Sequence, residues 1–505
     1  MKKIIFVALF SLNLYNAQTI RYVKEGAIGN GSSWINASGN IQDMLNASNP
    51  GDEIWVAKGT YKPTQIAGTG TTDRDKAFVL VNNVKLYGGF AGTETQLSQR
   101  NLNNTNNESI LSGDIGIIGN ITDNIYHIVI SINDSADTVL DGFTLTEANA
   151  NGSQNTIIDN TYIVRNSGGA LYITDNSSPS ILNCTFSQNS TLSYGAGIFN
   201  QLSAPNIDNC TFIGNDSAIG GGIYNSSSQP NITSCTFKNN NANIGSGINN
   251  QGSNATIINS IFIDNTTKMY GQGAGINNSS SNPNIVNCTF RGNISYSKGG
   301  AIFNENNSYP SIYNTIFWDN TKNGLNNIQG ADIEDYGNSI TAISYSLTQH
   351  KSAYSTGTGI INNQNPMFTN ATNGEVTLQS NSPAINIGIN IISGIMLPTT
   401  DKSGNQRIIG GTIDLGAYES NVIGLSINEI KEKLKADIFP NPAKDFINIQ
   451  SDGKIKSVEI YNLQGQKLIT ATQKQINISS LSSGIYLVRV EDDKNNTTTK
   501  KIIKK

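Results

Sequence analysis

The chain has 505 residues, of which only 14% are charged and 49 are glycine. Its formal net charge of −4 at neutral pH provides no basic patch for nucleic acid, which is therefore excluded as an expected partner. Short apolar runs alternate with glycine, asparagine, serine and threonine, a pattern that predicts many short strands and an all-β protein.

Residues 1–17 carry the pattern of a secretory signal peptide. Two lysines precede an apolar run from Ile4 to Leu14, and Ala17 is the predicted last residue before cleavage. The run is shorter than the roughly 20 apolar residues that span a membrane, and no later stretch approaches that length. We therefore expect an exported protein without a transmembrane segment, located outside the cell or at the outer-membrane surface.

The segment after the signal contains one amphipathic helical pattern, around Asn40 to Ala47. Because an open sheet end exposes unpaired backbone groups, we interpret this short helix as an N-terminal cap over the first coil of a repeat domain. We assign that domain to residues 18–420, with regular coils at about 162–325 and a terminal region at about 338–420.

The regular coils repeat a unit that opens with glycine and contains the motif NCTF or a close relative. Isoleucine lies five residues before each motif phenylalanine, and asparagine lies three residues after it. The phenylalanines follow one another at intervals of 26, 25, 25, 28 and 27 residues: Phe186, Phe212, Phe237, Phe262, Phe290 and Phe317. A fixed period with three short apolar pieces per unit predicts one coil of a parallel β-helix per repeat.

All four cysteines occupy one repeat position, two residues before the phenylalanine: Cys184, Cys210, Cys235 and Cys288. Ser260 and Thr315 fill this position in the other two units, so the slot is always small. Equivalent positions in neighbouring coils lie about 4.8 Å apart, and a free thiol is a small, readily buried group. We interpret the cysteines as an interior structural ladder. Disulfides between adjacent coils are the alternative, and a metal site is not expected because CxxC pairs are missing.

A column of aromatic residues is the candidate binding site. In the strand after the glycines, alternate aliphatic residues should point inward and the aromatic residues beside them outward: Tyr172, Phe199 and Tyr224. Such a strip on a flat face would suit sugar rings, which pack on aromatic faces. The alternative is that the rings only cover one another, since Asn249 and Asn277 interrupt the strip before Phe303.

No catalytic residue is predicted. A lyase needs a basic residue, often with Ca²⁺, and a hydrolase needs two nearby carboxyl groups, whereas the repeats carry single scattered acids. Arg165 and Arg291 are the only arginines in the regular coils, and neither has an evident acidic cluster in register. The polar insertion at 148–162 lacks the ordered acidic loop of a calcium site. We therefore expect no cofactor and no metal.

Residues 421–434 form a predicted linker, and residues 435–505 alternate strands with glycine turns, which predicts a small β-sandwich. This unit resembles the C-terminal (Por) sorting domain of the Bacteroidetes type IX secretion system. The resemblance rests on six motif residues: Pro440, Asn441, Pro442, Gly465, Gly484 and Tyr486. It implies that the type IX machinery is a partner and that the domain is removed during export.

The repeat domain resembles secreted right-handed parallel β-helix proteins, both pectate-lyase-like folds and the repeats of polymorphic outer-membrane proteins. Similar stretches include GGAIFN at 299–304 and GNQRIIGGTIDLGAYES at 404–420. The resemblance implies a right-handed coil and a cell-surface or released protein. We expect an adhesin-like or glycan-binding protein whose further partner is an extracellular glycan or a host or cell surface. The alternative is a polysaccharide lyase or glycoside hydrolase with a site in the insertions at 64–165 or 321–400.

Overall fold

A computed structural model describes residues 18–350, 357–421, 435–451, 453–462, 466–493 and 497–505. The predicted signal peptide, almost all of the predicted linker and the motif residue Gly465 lie outside the described residues. The chain divides into two compact units, Met1–Ile423 and Gly424–Lys505. Each unit is described by itself.

Three long parallel sheets run along the first unit, and successive strands of each sheet come from successive coils. Sheet A has eleven strands: Ile20–Val23, Glu53–Ala57, Lys85–Phe90, Val139–Asp141, Ser180–Leu182, Asn206–Asp208, Asn231–Thr233, Thr256–Ile258, Asn284–Val286, Ser311–Tyr313 and Ala342–Ser344. Sheet B also has eleven: Gly59–Tyr61, Ser109–Ser112, Phe143–Thr146, Thr185–Ser187, Thr211–Ile213, Thr236–Lys238, Ile261–Ile263, Thr289–Arg291, Ile316–Trp318, Leu347–Thr348 and Ile361–Asn362. Sheet C has nine: Phe78–Val79, Val129–Ile132, Leu171–Thr174, Ile198–Gln201, Ile223–Ser226, Ile248–Gln251, Ile276–Ser279, Ile302–Glu305 and Ile333–Asp335. The predicted right-handed parallel β-helix is confirmed.

Shorter elements of the first unit lie outside the three long sheets. Four strands form a parallel side sheet: Asn241–Ile244, Thr266–Gln272, Ile294–Ser295 and Thr321–Lys322. Three strand pairs stand apart from it: Asn149–Ala150 with Ser190–Thr191, Asn155–Ile158 with Thr161–Val164, and Phe368–Asn370 with Glu375–Leu378. The described 3₁₀ turns are single and short: Asp73–Asp75, Leu97–Gln99, Thr105–Asn107 and Ala371–Asn373.

The predicted N-terminal helix is Ile41–Asn46. The Asn40 side chain accepts hydrogen bonds from the backbone N–H groups of Gln42 and Asp43, which satisfies two donors that the helix itself leaves free. Ile41, Met44 and Leu45 are buried in the same core as the coils. The helix therefore covers the first coil with its apolar face.

Identical side chains stack along the interior because the coils pair in register. The six motif phenylalanines lie ring on ring, with centroids 4.7, 4.8, 4.7, 4.5 and 4.9 Å apart and interplanar angles of 10° or less. The four cysteines are buried in the same core and carry free thiols. Burial raises the pKa of Cys288 to about 12, so this thiol stays protonated at neutral pH.

Two columns of asparagine shape the turns. The first column follows the strands of sheet A in the left-handed conformation, with φ between 51° and 53°, which asparagine tolerates better than most residues: Asn183, Asn209, Ser234, Asn259, Asn287 and Asn314. The second column follows sheet B and is buried: Asn189, Asn215, Asn240, Asn265, Asn293 and Asn320. Consecutive side chains of this second column donate Nδ2–H to Oδ1 over 2.9–3.1 Å. We call it the buried asparagine ladder.

The second unit is a small antiparallel sandwich. One sheet has three strands: Ala436–Phe439, Phe446–Ser451 and Gln475–Asn477. The other has four: Ile455–Tyr461, Lys467–Ala471, Gly484–Asp492 and Thr497–Lys504. Ile447, Val458 and Val488 are buried between the two sheets. The predicted C-terminal sandwich is confirmed.

Candidate binding groove

The predicted aromatic strip is stacked but not exposed. The Tyr172 and Phe199 ring centroids lie 4.7 Å apart, and Phe199 and Tyr224 stack at 5.6 Å. Tyr172 is 0% and Phe199 5% exposed, whereas Tyr224 is half-buried. The expectation of an open sugar-binding strip is therefore wrong for Tyr172 and Phe199. The rings do lie outside the central core, as the strand alternation requires.

Two segments from elsewhere in the chain cover these rings. Ala67 and Ala77 come from the loop before sheet C begins, and Ile158 and Ile163 come from the hairpin of the 148–162 insertion and its return strand. The two segments are joined backbone to backbone, since Thr69 N–H donates to the Ile157 carbonyl at 2.9 Å. Burial raises the pKa of Tyr172 to about 12, as expected for a phenol removed from water.

The 64–165 insertion, one of the two places considered for catalysis, contains a buried ion pair. Arg165 Nε lies 2.6 Å from Asp75 Oδ1, and the two side chains are 10% and 1% exposed. Burial raises the pKa of Asp75, but hydrogen bonds from Thr72 and Thr71 together with Arg165 outweigh it, so the pKa is lowered overall. A paired, buried carboxylate of this kind holds the insertion in place and does not face a substrate.

His127, next to this pair, makes the stability of the fold depend on pH. It is 4% exposed, its Nδ1 lies 2.9 Å from the Gly168 carbonyl, and burial lowers its pKa to about 4. The unfolded chain takes up a proton near pH 6.5 whereas the folded chain does not, so stability present above pH 6.5 is lost as the pH falls towards 4. We expect this contribution to reach about 3 kcal/mol.

Urea unfolding of the wild type and of His127→Gln between pH 7 and pH 4.5 measures this effect. The difference in unfolding free energy between the two proteins should shrink as the pH falls, because the variant lacks the proton uptake. The comparison with the variant is needed because burial raises the pKa of Asp134 to about 6. Proton uptake by Asp134 in the folded chain increases stability as the pH falls, which is opposite to the effect of His127. Parallel curves for the two proteins would contradict the prediction.

Charged side chains of the regular coils form separate pairs. Arg291 Nη1 pairs with Asp264 Oδ1 at 2.9 Å, across one step of the coil stack, and Lys268 pairs with Asp216 at 2.5 Å. Within the described residues, no group of three or more histidine, cysteine, aspartate or glutamate side chains is placed to hold a metal ion. Each of these charges is a local surface pair.

A groove lies on the outer face of sheet A. It has a volume of about 530 Å³ and runs along one column of adjacent strands: Asn206, Asn231, Thr256 and Asn284. Thr233 adds a second hydroxyl, and Ile258 forms an apolar part of the floor. Each of the four column residues directly precedes an inward isoleucine of the repeat. The sequence shows this column as a polar position six residues before the motif phenylalanine. Sequence reasoning missed them because no sequence feature shows that a wall stands beside them.

The wall is residues 394–399, part of a terminal segment, residues 389–419, that we call the strap. Ile395 and Leu397 pack onto Ile258 and Val286 of sheet A. The strap is tied to the left-handed asparagine turns. Asn259 Nδ2 donates to the Thr400 carbonyl at 2.9 Å, and Asn314 Nδ2 donates to the Ile389 carbonyl at 3.0 Å. At Ser234, the one position of this turn column that is not asparagine, the backbone carbonyl accepts from Lys402 Nζ at 2.5 Å.

Arg407 is the internal support of the strap and is 2% exposed. Its Nη atoms donate to three strap carbonyls at 3.1, 3.2 and 2.7 Å: Ala417, Asp414 and Gly416. Its Nε lies 4.0 Å from Glu419 Oε2. Burial, and next the Asp414 carboxylate, raises the pKa of Glu419 to about 7, while Arg407 acts against this rise. The Arg407 backbone N–H donates to the Thr399 carbonyl at 2.9 Å, so the motif at 404–420 also holds the end of the groove wall.

The sorting-motif residues occupy the second unit. The Asn441 side chain pairs with the backbone of the last strand. Its Nδ2 donates to the Lys501 carbonyl at 2.9 Å, and its Oδ1 accepts from Ile503 N–H at 2.8 Å. Pro440 and Pro442 flank it at exposed positions. Two further motif residues lie at the start of one strand: Gly484 opens Gly484–Asp492, and the Tyr486 hydroxyl donates to the Ser482 carbonyl at 2.9 Å. Asn441 therefore covers part of the edge of the last strand.

The two units together define the class of an exported β-helix protein with a C-terminal sorting domain. Residues 102–290 match the family described as right handed beta helix region, and residues 437–505 match the secretion system C-terminal sorting domain. Residues 287–305 match the Chlamydia polymorphic membrane protein repeat. The chain is therefore a secreted right-handed β-helix protein that carries a type IX sorting signal. Among the described residues, no helix has the length and apolar character needed to cross a membrane.

Several solved structures align with this chain, and one of them is a pectate lyase. The crystal structure of pectate lyase Pel9A aligns with a TM-score of 0.45 and 15% sequence identity, covering 80% of this chain and 97% of that chain. Comparison with curated protein sequences finds no match.

Proposed function

We propose that the exported β-helix is a glycan-binding, adhesin-like protein and that the groove on sheet A holds a carbohydrate chain without cleaving it. The supporting observation is the column Asn206, Asn231, Thr256 and Asn284, which presents an amide or a hydroxyl at every step of the coil stack. Steps of about 4.8 Å place these groups along a line, as hydroxyl groups are placed along an extended polysaccharide.

The wall supplies the apolar half of a sugar site. Ile395, Met396 and Leu397 face the polar column across the groove, and Met396 is 90% exposed. Ligand sites combine such apolar surface with a few placed polar groups. None of the described residues that line the groove is ionisable, so general acid–base catalysis has no group there to perform it.

Affinity electrophoresis through gels that contain neutral or acidic polysaccharides tests the proposal. We expect the full chain to be retarded by at least one polysaccharide, and the double variant Asn231→Ala/Asn284→Ala to bind about thirtyfold more weakly, since each of the two polar contacts contributes about 1 kcal/mol. Asn243→Ala removes an exposed asparagine outside the groove and is the matched control. Equal retardation of the double variant and the wild type would contradict the proposed site.

The alternative function is a polysaccharide lyase or hydrolase, and one observation favours it. Burial lowers the pKa of Lys402, which contacts Ser234 directly after the groove residue Thr233, and a lysine with a lowered pKa can act as a base. Incubation with the same polysaccharides, followed by detection of unsaturated or reducing-end products, decides between the two. If the wild type forms products and Lys402→Met does not, the protein is an enzyme and the proposal of binding without cleavage is wrong.

A further inference from the structure

The loop between Gly113 and Ile125 is closed around two carboxylates. Its ends are joined by the Ile125 N–H, which donates to the Gly113 carbonyl at 3.0 Å. Asp114 Oδ2 accepts from Gly119 N–H at 3.0 Å, and Asp123 Oδ2 accepts from Ile117 N–H at 2.8 Å. Each carboxylate therefore uses one oxygen to hold the loop backbone.

The remaining oxygens of these side chains are buried and unsatisfied. Asp114 Oδ1, Asp123 Oδ1 and the neighbouring amide oxygen Asn124 Oδ1 have no hydrogen-bond partner among the described residues. Asp114 is 5% exposed and Asn124 3% exposed. A buried oxygen without a donor is costly, and more so when it carries charge, so three of them in one loop indicate a missing positive group.

Among the described residues, no cationic side chain is a hydrogen-bond partner of these three oxygens. Arg74 is the adjacent base, but its Nε donates to the Asn124 backbone carbonyl at 2.6 Å and its Nη2 to the Asn149 carbonyl at 2.8 Å. The Asn124 side chain brings in no positive charge either, because its Nδ2 donates to the Glu147 backbone carbonyl at 2.6 Å. The balance of charge around the three oxygens is therefore negative.

The loop also lacks an apolar anchor at its tip. Ile117, Ile118 and Ile121 are 72%, 87% and 63% exposed. Apolar burial therefore does not hold the tip, and its conformation depends on the polar interior of the loop.

We propose that residues 114–124 bind a hard divalent cation, Ca²⁺, through the carboxylates of Asp114 and Asp123 and the amide oxygen of Asn124. All three are oxygen ligands of the kind that Ca²⁺ prefers, and backbone carbonyls or water complete its flexible coordination. The ion fixes the tip that displays Ile117, Ile118 and Ile121. This site is independent of the groove on sheet A.

Calorimetric titration of the full chain with Ca²⁺, paired with limited proteolysis, tests the site. We expect binding of one ion, slower cleavage within 113–124 in Ca²⁺ than in EGTA, and affinity at least about tenfold lower in Asp123→Asn, which removes one ligand charge. Asp123 is half-buried and Asn keeps its shape, so this variant remains informative if Asp114→Asn fails to fold.

Asp159→Asn is the matched control, because Asp159 is an exposed aspartate in a left-handed turn of another loop and Asn suits that conformation. Its Ca²⁺ affinity should equal that of the wild type. Absence of heat and of protection at millimolar Ca²⁺ would overturn the proposal, and so would an Asp123→Asn variant that binds as the wild type does.

Discussion

Asn240→Ala is expected to destabilise the β-helix by about 4 kcal/mol. Asn240 Oδ1 accepts two hydrogen bonds from Asn215, from its backbone N–H at 3.1 Å and from its Nδ2 at 2.9 Å, and Asn240 Nδ2 donates to the Phe212 carbonyl at 2.9 Å. The variant removes these three hydrogen bonds and a fourth, from Asn240 Nδ2 to Asn265 Oδ1 at 3.0 Å. The buried groups that lose a partner cost about 1–3 kcal/mol each where no other bond replaces it. The midpoint of chemical unfolding, at an unchanged denaturant dependence, measures the loss.

Asn243→Ala, in the same coil, is the control for this prediction. Asn243 is exposed, whereas Asn240 is 0% exposed. Surface substitutions of this kind usually change stability by less than about 0.5 kcal/mol. If both variants lost the same stability, the buried asparagine ladder would not be the source of the effect.

The sequence was sufficient for the fold because every coil repeats the same constraint. The spacing of the motif phenylalanines corresponds to in-register strands, and Phe186 indeed pairs with Phe212 and Phe212 with Phe237. The repeat position two residues before the phenylalanine holds cysteine, serine or threonine in every coil. The core at this position therefore accommodates a small side chain. Periodicity of this kind is local information, readable without knowledge of distant contacts.

The candidate site was harder to predict because it depends on segments that are distant in the chain. Strand alternation correctly places Tyr172 and Phe199 outside the core, but part of their cover comes from Ala67 and Ala77, about a hundred residues earlier. The groove has the same origin, since its polar column is in the repeats and its wall is in the strap. The pairing of these segments follows no period, so the sequence pattern alone did not reveal it.

Arg407→Met is expected to release the strap and abolish glycan retention while the coils stay folded. The side chain keeps a long apolar stem but loses the donors to Ala417, Asp414 and Gly416, and it leaves Glu419 buried without its counter-charge. Each carbonyl left buried without its donor costs about 1–3 kcal/mol. This cost falls on the attachment of the strap, because the coil cores contain none of these groups.

Hydrogen exchange resolved by segment separates this local opening from global unfolding. Residues 394–417 should exchange much faster in Arg407→Met than in the wild type, whereas the strands from Asn206 to Phe262 should keep their protection. Gln406→Met, at the exposed neighbouring position, should leave both exchange and polysaccharide retardation unchanged. If retardation persists with an open strap, the apolar wall is dispensable and the polar column alone binds the sugar. If the strap stays protected in Arg407→Met, its attachment depends instead on the hydrogen bonds from the asparagine turns.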